Sequence, residues 1–219
     1  MNLPAAPPGR FHEDAGLWIY TAAPPLSEPR PALFLDRDGV IIEDPGYLCR
    51  ASDLVMIPGA AELIREANRL RIPVVEITNQ AGIGRGYYGW EEFAAVEEAL
   101  ARRLAQSGAA VDAILACPYY PDGVAPWAHP DHPARKPRPG MLLAAQRLLN
   151  LDLPRSWIVG DRLTDLQAGY NAGLRGGLHV LSGSGPEHRQ AVLEWRPPGF
   201  ELRLGSSLCE AAAVLTTME

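Results

Sequence analysis

Short apolar runs that stop on an acid constrain this chain more than any other feature. ALFLD (32–36) and SWIVGD (156–161) are almost wholly apolar, and each ends in aspartate. A run of that length without alternation suits a strand buried on both faces, as in a parallel sheet. Around these runs the hydrophobic period keeps switching. Pro58 and Gly59 open a stretch with Leu63, Ile64, Ala67 and Leu70 on one face, the spacing of a helix packed on a core. PVVEIT (73–78) is strand-like again. Trp90, Phe93, Val96, Leu100 and Leu104 then recur at three and four residues. Glu91 and Glu92 stand at the start of that helix and Arg102 and Arg103 near its end, as the helix dipole favours. Gly108 is placed to stop it.

The alternation continues with VDAILA (111–116), a helix over 141–149 with Pro139 near its start, SWIVGD, a helix over 164–172, and LHVL (178–181). Ser207 and Glu210 have the spacing of a capping box for the last helix. The expected fold is α/β: a doubly wound parallel sheet, Rossmann-type, with helices on both faces. Residues 1–31 fall outside that pattern. Pro4, Pro7, Pro8, Pro24, Pro25, Pro29 and Pro31 exclude a long helix there. Phe11, Leu17, Trp18, Ile19 and Tyr20 are apolar enough to dock on a surface. The segment reads as an extended N-terminal arm, with one domain over 32–219.

The length of 219 residues, 47% hydrophobic and 21% charged, supports one domain with a sizeable core. The net charge of -6 argues against binding nucleic acid or an anionic membrane through bulk charge. An anionic ligand must then be held by a few placed cations and backbone amides. Cys49, Cys117 and Cys209 form no C-x-x-C pair; a disulfide framework is not expected, and a reducing, cytoplasmic setting is. No apolar run reaches the length of a membrane span. The opening residues lack the basic start and apolar stretch of a secretory signal.

Ligands of doubly wound sheets sit beyond the carboxyl ends of the strands. The polar residues that directly follow the strands are Asp36, Thr78, Cys117 and Asp161. In LFLDRDGV, Asp36 and Asp38 put two carboxylates at one strand end. One can attack phosphorus once a cation offsets the repulsion between anions. The other can protonate the departing oxygen and then deprotonate water. Gly39 lets the backbone approach a ligand closely. Thr78, Asn79 and Gln80 offer a hydroxyl and amides for phosphate oxygens. Arg135 and Lys136 offer a bidentate fork and a compact charge. Asp161 and Asp165 in VGDRLTD are hard oxygen ligands that suit magnesium. Each motif alone has a bland reading as a turn, a cap or a solvated surface. Their order, each at the same side of one sheet, is the informative part.

LFLDRDGVI, DPGYL, TNQAGIGRGYY, RKPRPGM and VGDRLTDLQAG resemble the haloacid dehalogenase superfamily of phosphatases over about residues 32–181. More narrowly they resemble its branch of heptose bisphosphate and histidinol-phosphate phosphatases. The resemblance implies a magnesium-dependent phosphatase acting on a small phosphorylated metabolite through an aspartyl-phosphate. Heptose 1,7-bisphosphate, cleaved at the 7-phosphate, is the leading substrate, and histidinol phosphate or another small sugar phosphate the alternative. It implies that Asp36 is the nucleophile and Asp38 the acid/base. By the same resemblance magnesium would be held by the Asp36 and Asp161 carboxylates and the Asp38 carbonyl, with Asp165 behind them. Thr78 and Lys136 would stabilise the phosphoryl group, and Arg135 would contribute to substrate recognition. Asp44, Pro45, Gly46, Tyr47, Asn79, Gln80, Ala81 and Arg162 would line the substrate site. Arg162 stands where the family usually has lysine.

About forty residues separate Asp36 from Thr78, which leaves no room for a large cap domain. Many members of the family carry a structural zinc before Arg-Lys-Pro, bound by Cys-x-His and Cys-x-Cys pairs. Here those pairs read Cys117-Pro118-Tyr119 and His132-Pro133-Ala134. Only Cys117 keeps its type and place. A closed zinc site needs four good ligands, so none is expected, although Cys117, His129 and His132 lie in that stretch. The proline-rich loop is expected to hold itself. A different class remains open, a receiver-like phospho-acceptor domain, which also sets acids, Thr and Lys on a parallel sheet. Nothing in the sequence calls for an oligomer, and a monomer is expected.

Overall fold

The computed structural model describes residues 9–218. Pro4, Pro7 and Pro8 of the N-terminal segment lie outside the described residues. In chain order the elements are β1 (Arg10–His12), β2 (Leu17–Thr21), β3 (Leu33–Leu35), α1 (Ala60–Arg69), β4 (Val74–Asn79), α2 (Ala81–Gly84), α3 (Trp90–Gln106) and β5 (Ala113–Cys117). Then follow α4 (Gly140–Leu149), β6 (Trp157–Gly160), α5 (Leu163–Asn171), β7 (Gly176–His179), α6 (Gly185–Glu194), β8 (Glu201–Leu204) and α7 (Ala212–Leu215).

The strands form one sheet in the order β1-β2-β5-β4-β3-β6-β7-β8. From β5 to β8 every pairing is parallel. The apolar runs behave as two-sided strands. Leu33 and Leu35 enter the core on the face covered by α1, α3 and α7, and Phe34 enters the core under α4 and α5. All three are buried, and burying a side chain of this size contributes roughly 1.5–3 kcal/mol. Strand β3 pairs with β4 on one side and β6 on the other. The chain therefore winds away from β3 in both directions, and the crevice of such a switch point opens at its carboxyl end.

Several sequence expectations need correction. The segment read as a surface-docked arm contributes two strands: β2 lies antiparallel on β5, and β1 on β2. Leu17, Trp18 and Ile19 are buried there. The prolines after Thr21 exclude helix but leave this β-branched and aromatic run free to pair. The strand expected at 178–181 is β7, shifted to Gly176–His179. A Cβ on Gly176 would come within 2.8 Å of the Trp157 ring and 2.3 Å of Glu201 O; glycine makes room for both. Strand β8 goes beyond the sequence reading, because its Glu201 and Arg203 mark a charged edge. Helix α6 is a further addition to that reading. Ser207 makes no side-chain cap; the Glu210 carboxylate instead accepts from Ser206 N and Oγ.

Candidate active site

The sheet's central strand ends one residue before Asp36, and Asp36 N still donates to Val159 O at 3.1 Å. This backbone bond aims the Asp36 side chain at the crevice. Its Oδ1 accepts from Arg37 N at 2.8 Å and lies 2.8 Å from Lys136 Nζ. Lys136 arrives from the loop before α4. Asn79, the last residue of β4, locks that loop in a reciprocal pair. Its Nδ2 donates to Lys136 O and its Oδ1 accepts from Lys136 N, both at 3.1 Å. The ammonium also lies 2.7 Å from Asp165 Oδ1 and donates to Ile77 O at 3.0 Å. Burial alone lowers the Lys136 pKa, but the charges of Asp165 and Asp36 outweigh it and hold the ammonium above its ordinary range.

Asp161 follows β6 and is fully buried. Its Oδ2 accepts from Ser184 N at 2.7 Å. Gly39 and Gly183 pack over the same oxygen with φ of +86° and +54°, and a Cβ on either would come within 2.4 Å of it. Gly39 thus makes room for a carboxylate from another strand, a closer duty than the ligand approach expected of it. Asp161 Oδ1 has no hydrogen-bond partner. Asp36, Asp161 and Asp165 each present one ligand atom, all within 4.8 Å of one another. Burial, then the charge of Asp165, pushes Asp161 up to about 7. Burial raises Asp36 well above the usual carboxylate range, Lys136 pulls it back, and Asp165 and Asp161 push it up again. One ammonium among three buried acids leaves an excess of negative charge. A small divalent cation with oxygen ligands fits that deficit, and the orphaned Asp161 oxygen is a free ligand for it.

Asp38 lies on the other side of Asp36, its side chain 20% exposed. Arg37 Nη2 and Nε donate to both of its oxygens at 2.8 and 3.2 Å. Gln80 Nε2 donates to Asp38 Oδ2 at 3.1 Å and to Thr78 Oγ1 at 2.8 Å. Tyr88 OH in turn donates to Gln80 Oε1. A cavity of about 500 Å³ opens above these groups. Asp36, Asp38, Thr78, Asn79, Gln80, Ala81, Lys136 and Asp165 form its floor and wall, with Asp44, Gly46, Tyr47, Arg135 and Arg162 around them. Arg162 lies 3.4 Å from Asp44 Oδ2 and donates to Ser184 Oγ at 2.9 Å. Arg135 donates to Tyr119 O at 3.0 Å. Pro45 sits in the exposed turn beside the cavity and is not part of its lining; Asp161 lies beneath the lining.

Sequence reasoning missed Arg37, Glu97 and Glu76, which stand behind Asp38. It also missed Tyr88, Tyr120, Thr164 and His188 along the cavity. Glu97 and Glu76 did carry a signal: both are acids inside apolar patterns, one on the Phe93–Leu100 face and one in PVVEIT. Cys117 is buried, which pushes its thiol up to about 12. His132 stacks on Tyr119 at 3.7 Å, and His132 Nδ1 and His129 Nδ1 accept backbone N–H groups from Ala134 and Asp131.

A doubly wound sheet with paired acids, a lysine and a further acid pair at its switch point defines a class of hydrolases, and comparison with known proteins agrees. Residues 133–199 match the HAD-hydrolase-like family model. A D-glycero-β-D-manno-heptose-1,7-bisphosphate 7-phosphatase of Mesorhizobium japonicum is 50% identical over 207 residues, 94% of this chain and 91% of the relative. A crystal structure from Mesorhizobium loti, described as HAD-like phosphatase, has a TM-score of 0.83 at 42% identity and covers 96% of both chains. The D,D-heptose 1,7-bisphosphate phosphatase of B. bronchiseptica, complexed with magnesium and phosphate, has a TM-score of 0.74 at 32% identity. It covers 86% of this chain and 99% of its own. The chain belongs to the haloacid dehalogenase-like phosphatases, which are phosphoric monoester hydrolases. The receiver-like alternative does not survive this comparison. Among the described residues, no helix is long and apolar enough to cross a membrane.

Proposed function

We propose that this protein hydrolyses the 7-phosphate of D-glycero-β-D-manno-heptose 1,7-bisphosphate through a phosphoryl group carried on Asp36. The observation that carries this reading is the pairing at the end of β3. A buried Asp36 carboxylate is held 2.8 Å from Lys136, and a second carboxylate, Asp38, stands two residues on at the same cavity. The substrate class comes from the relatives' names and their coverage of this chain.

Asp36 attacks phosphorus, and the bond between phosphorus and the C7 oxygen breaks. Asp38 gives its proton to that oxygen, which leaves as an alcohol. Water then attacks the phosphorus of the Asp36 acyl phosphate. Asp38 takes a proton from this water, and the Asp36 carboxylate is released with inorganic phosphate. Lys136 and Thr78 hold the phosphoryl oxygens through both steps, and Arg135 and Arg162 orient the rest of the substrate. Preorganised charge of this kind supplies most of the acceleration in phosphoryl transfer. Asp36, Asp161 and the Asp38 carbonyl would hold magnesium, with Asp165 bracing Lys136 behind them. When bound, the ion neutralises charge on the phosphoryl oxygens and Asp36.

Asp36→Asn should lose about 10⁴-fold or more in kcat. A panel of heptose 1,7-bisphosphate anomers, histidinol phosphate and simple sugar phosphates, assayed with magnesium, tests the substrate. A preference for histidinol phosphate would replace the heptose reading. We further read the enzyme as a cytoplasmic monomer, for which light scattering at working concentration is the check. The Tyr119–His132 stack packs within the loop over 118–134; we expect that loop to carry no zinc, and metal analysis of the purified protein should find no zinc.

A further inference from the structure

Behind Asp38 lies a buried charge relay that the hydrolytic steps do not use. Arg37 is only 1% exposed, and its guanidinium divides between two partners. Nε and Nη2 hold both oxygens of Asp38, while Nη1 donates to Glu97 Oε1 at 2.8 Å. The fork is also packed over the Phe93 ring, 5.2 Å from its centroid. Glu97 comes from α3, on the same helix face as Phe93 and Leu100. Glu76 comes from β4, beside Leu35 in register. Its neighbours Val75 and Ile77 face the opposite core, so Glu76 points toward α3 and Glu97. Glu76 is 0% and Glu97 5% exposed.

With both glutamates ionised, Glu76 Oε1 and Oε2 and Glu97 Oε2 find no hydrogen-bond partner. Buried acceptors in that state are costly. A proton on Glu76 supplies the missing donor to Glu97. Burial, followed by the charge of Glu97, raises the Glu76 pKa well above its ordinary value, the direction that favours such a proton. The guanidinium then bridges two carboxyl groups, Glu97 behind and Asp38 in front. Such a bidentate clamp fixes a carboxylate's plane as well as its position.

We propose that Arg37, anchored by the Glu97–Glu76 carboxyl pair, is a positioning residue that aims Asp38 at the leaving oxygen. This rests on the reading of Asp38 as the acid. A misaimed acid harms a substrate that needs protonation at departure and spares one that does not. The test is therefore kcat/KM of the magnesium-loaded enzyme on two substrates: heptose 1,7-bisphosphate, whose alkoxide must be protonated, and p-nitrophenyl phosphate, whose phenolate leaves unaided. Inhibition by inorganic phosphate reports whether the site itself is intact.

Asp38→Asn is the reference and should lose about 10²–10⁴-fold on the heptose and far less on the phenyl ester. Glu97→Gln and Arg37→Lys should show the same selectivity at about ten- to a hundredfold, with phosphate inhibition unchanged. Glu76→Gln keeps a donor toward Glu97 and should lose less than Glu76→Leu. If Asp38→Asn is selective but Glu97→Gln and Arg37→Lys lose equally on both substrates, the positioning role is wrong and the Asp38 reading stands. If Asp38→Asn is itself unselective, the acid role fails and this inference falls with it.

Discussion

Two buried acid clusters flank the end of β3, and they solve the same electrostatic problem differently. On one side Asp36 and Asp165 share Lys136, and Asp161 beside them has one oxygen without a partner. On the other, Asp38, Glu97 and Glu76 share Arg37. The first cluster sits at the cavity floor and consists of short side chains that converge on one point. A divalent ion would satisfy it. The second lies under α3 and reaches the cavity only through Asp38 and Arg37, and a proton on Glu76 would satisfy it. Burying acids with too few cations is costly. What distinguishes a metal site from a structural clamp here is access and convergence, since the number of acids is the same.

The sharpest way to break that contrast is to remove one cation. Lys136→Met leaves Asp36 and Asp165 buried together and should cost roughly 3–5 kcal/mol of stability. Chemical denaturation measures this, and added magnesium should recover part of the loss if the ion and the ammonium serve one cluster. No recovery would separate them. Asp161→Asn should abolish the rise in melting temperature on adding magnesium, whereas Glu97→Gln should leave it intact. Gly39→Ala forces a side chain into a left-handed backbone beside Asp161 Oδ2. It should cost about 1–2 kcal/mol and weaken magnesium binding as well.

The smallest effect concerns Glu76, whose pKa is held well above its ordinary value by burial and then by the charge of Glu97. Below that ordinary value both the folded and the unfolded chain hold the proton, and the wild-type protein and the Glu76→Gln variant differ little from this source. As pH rises above it, the unfolded chain ionises while the folded one does not, so native stability falls relative to the Glu76→Gln variant. Denaturation of both proteins at a few pH values from about 4 to about 8 should show the variant gaining as pH rises. A constant difference would mean that Glu76 carries no proton in the folded state.

Much of the fold was legible because hydrophobic period alone separates two-sided strands from helices. ALFLD ends on an acid that lines the cavity and SWIVGD on one just beneath it, and Trp90, Phe93 and Leu100 trace α3. The acids at strand tips needed no long-range information. What stayed hidden depends on distant partners. Residues 17–21 join the sheet only because β5 offers an edge, and Gly176 lies in a strand because Trp157 fills its missing side chain. Arg37 and Glu97 are sixty residues apart and meet only when α3 covers the sheet. An acid on the apolar face of a helix and another inside a strand run were nonetheless visible. Two such misfits in one chain invite the question of whether they face each other.

Rapid acid quench of the magnesium-loaded enzyme with heptose 1,7-bisphosphate carrying radioactive phosphorus at C7 bears most directly on the nucleophile. Within a turnover, label should appear on the peptide that contains Asp36 and be absent from Asp36→Asn. Label on another residue, or intact turnover with no labelled protein at any quench time, would contradict the aspartyl-phosphate route.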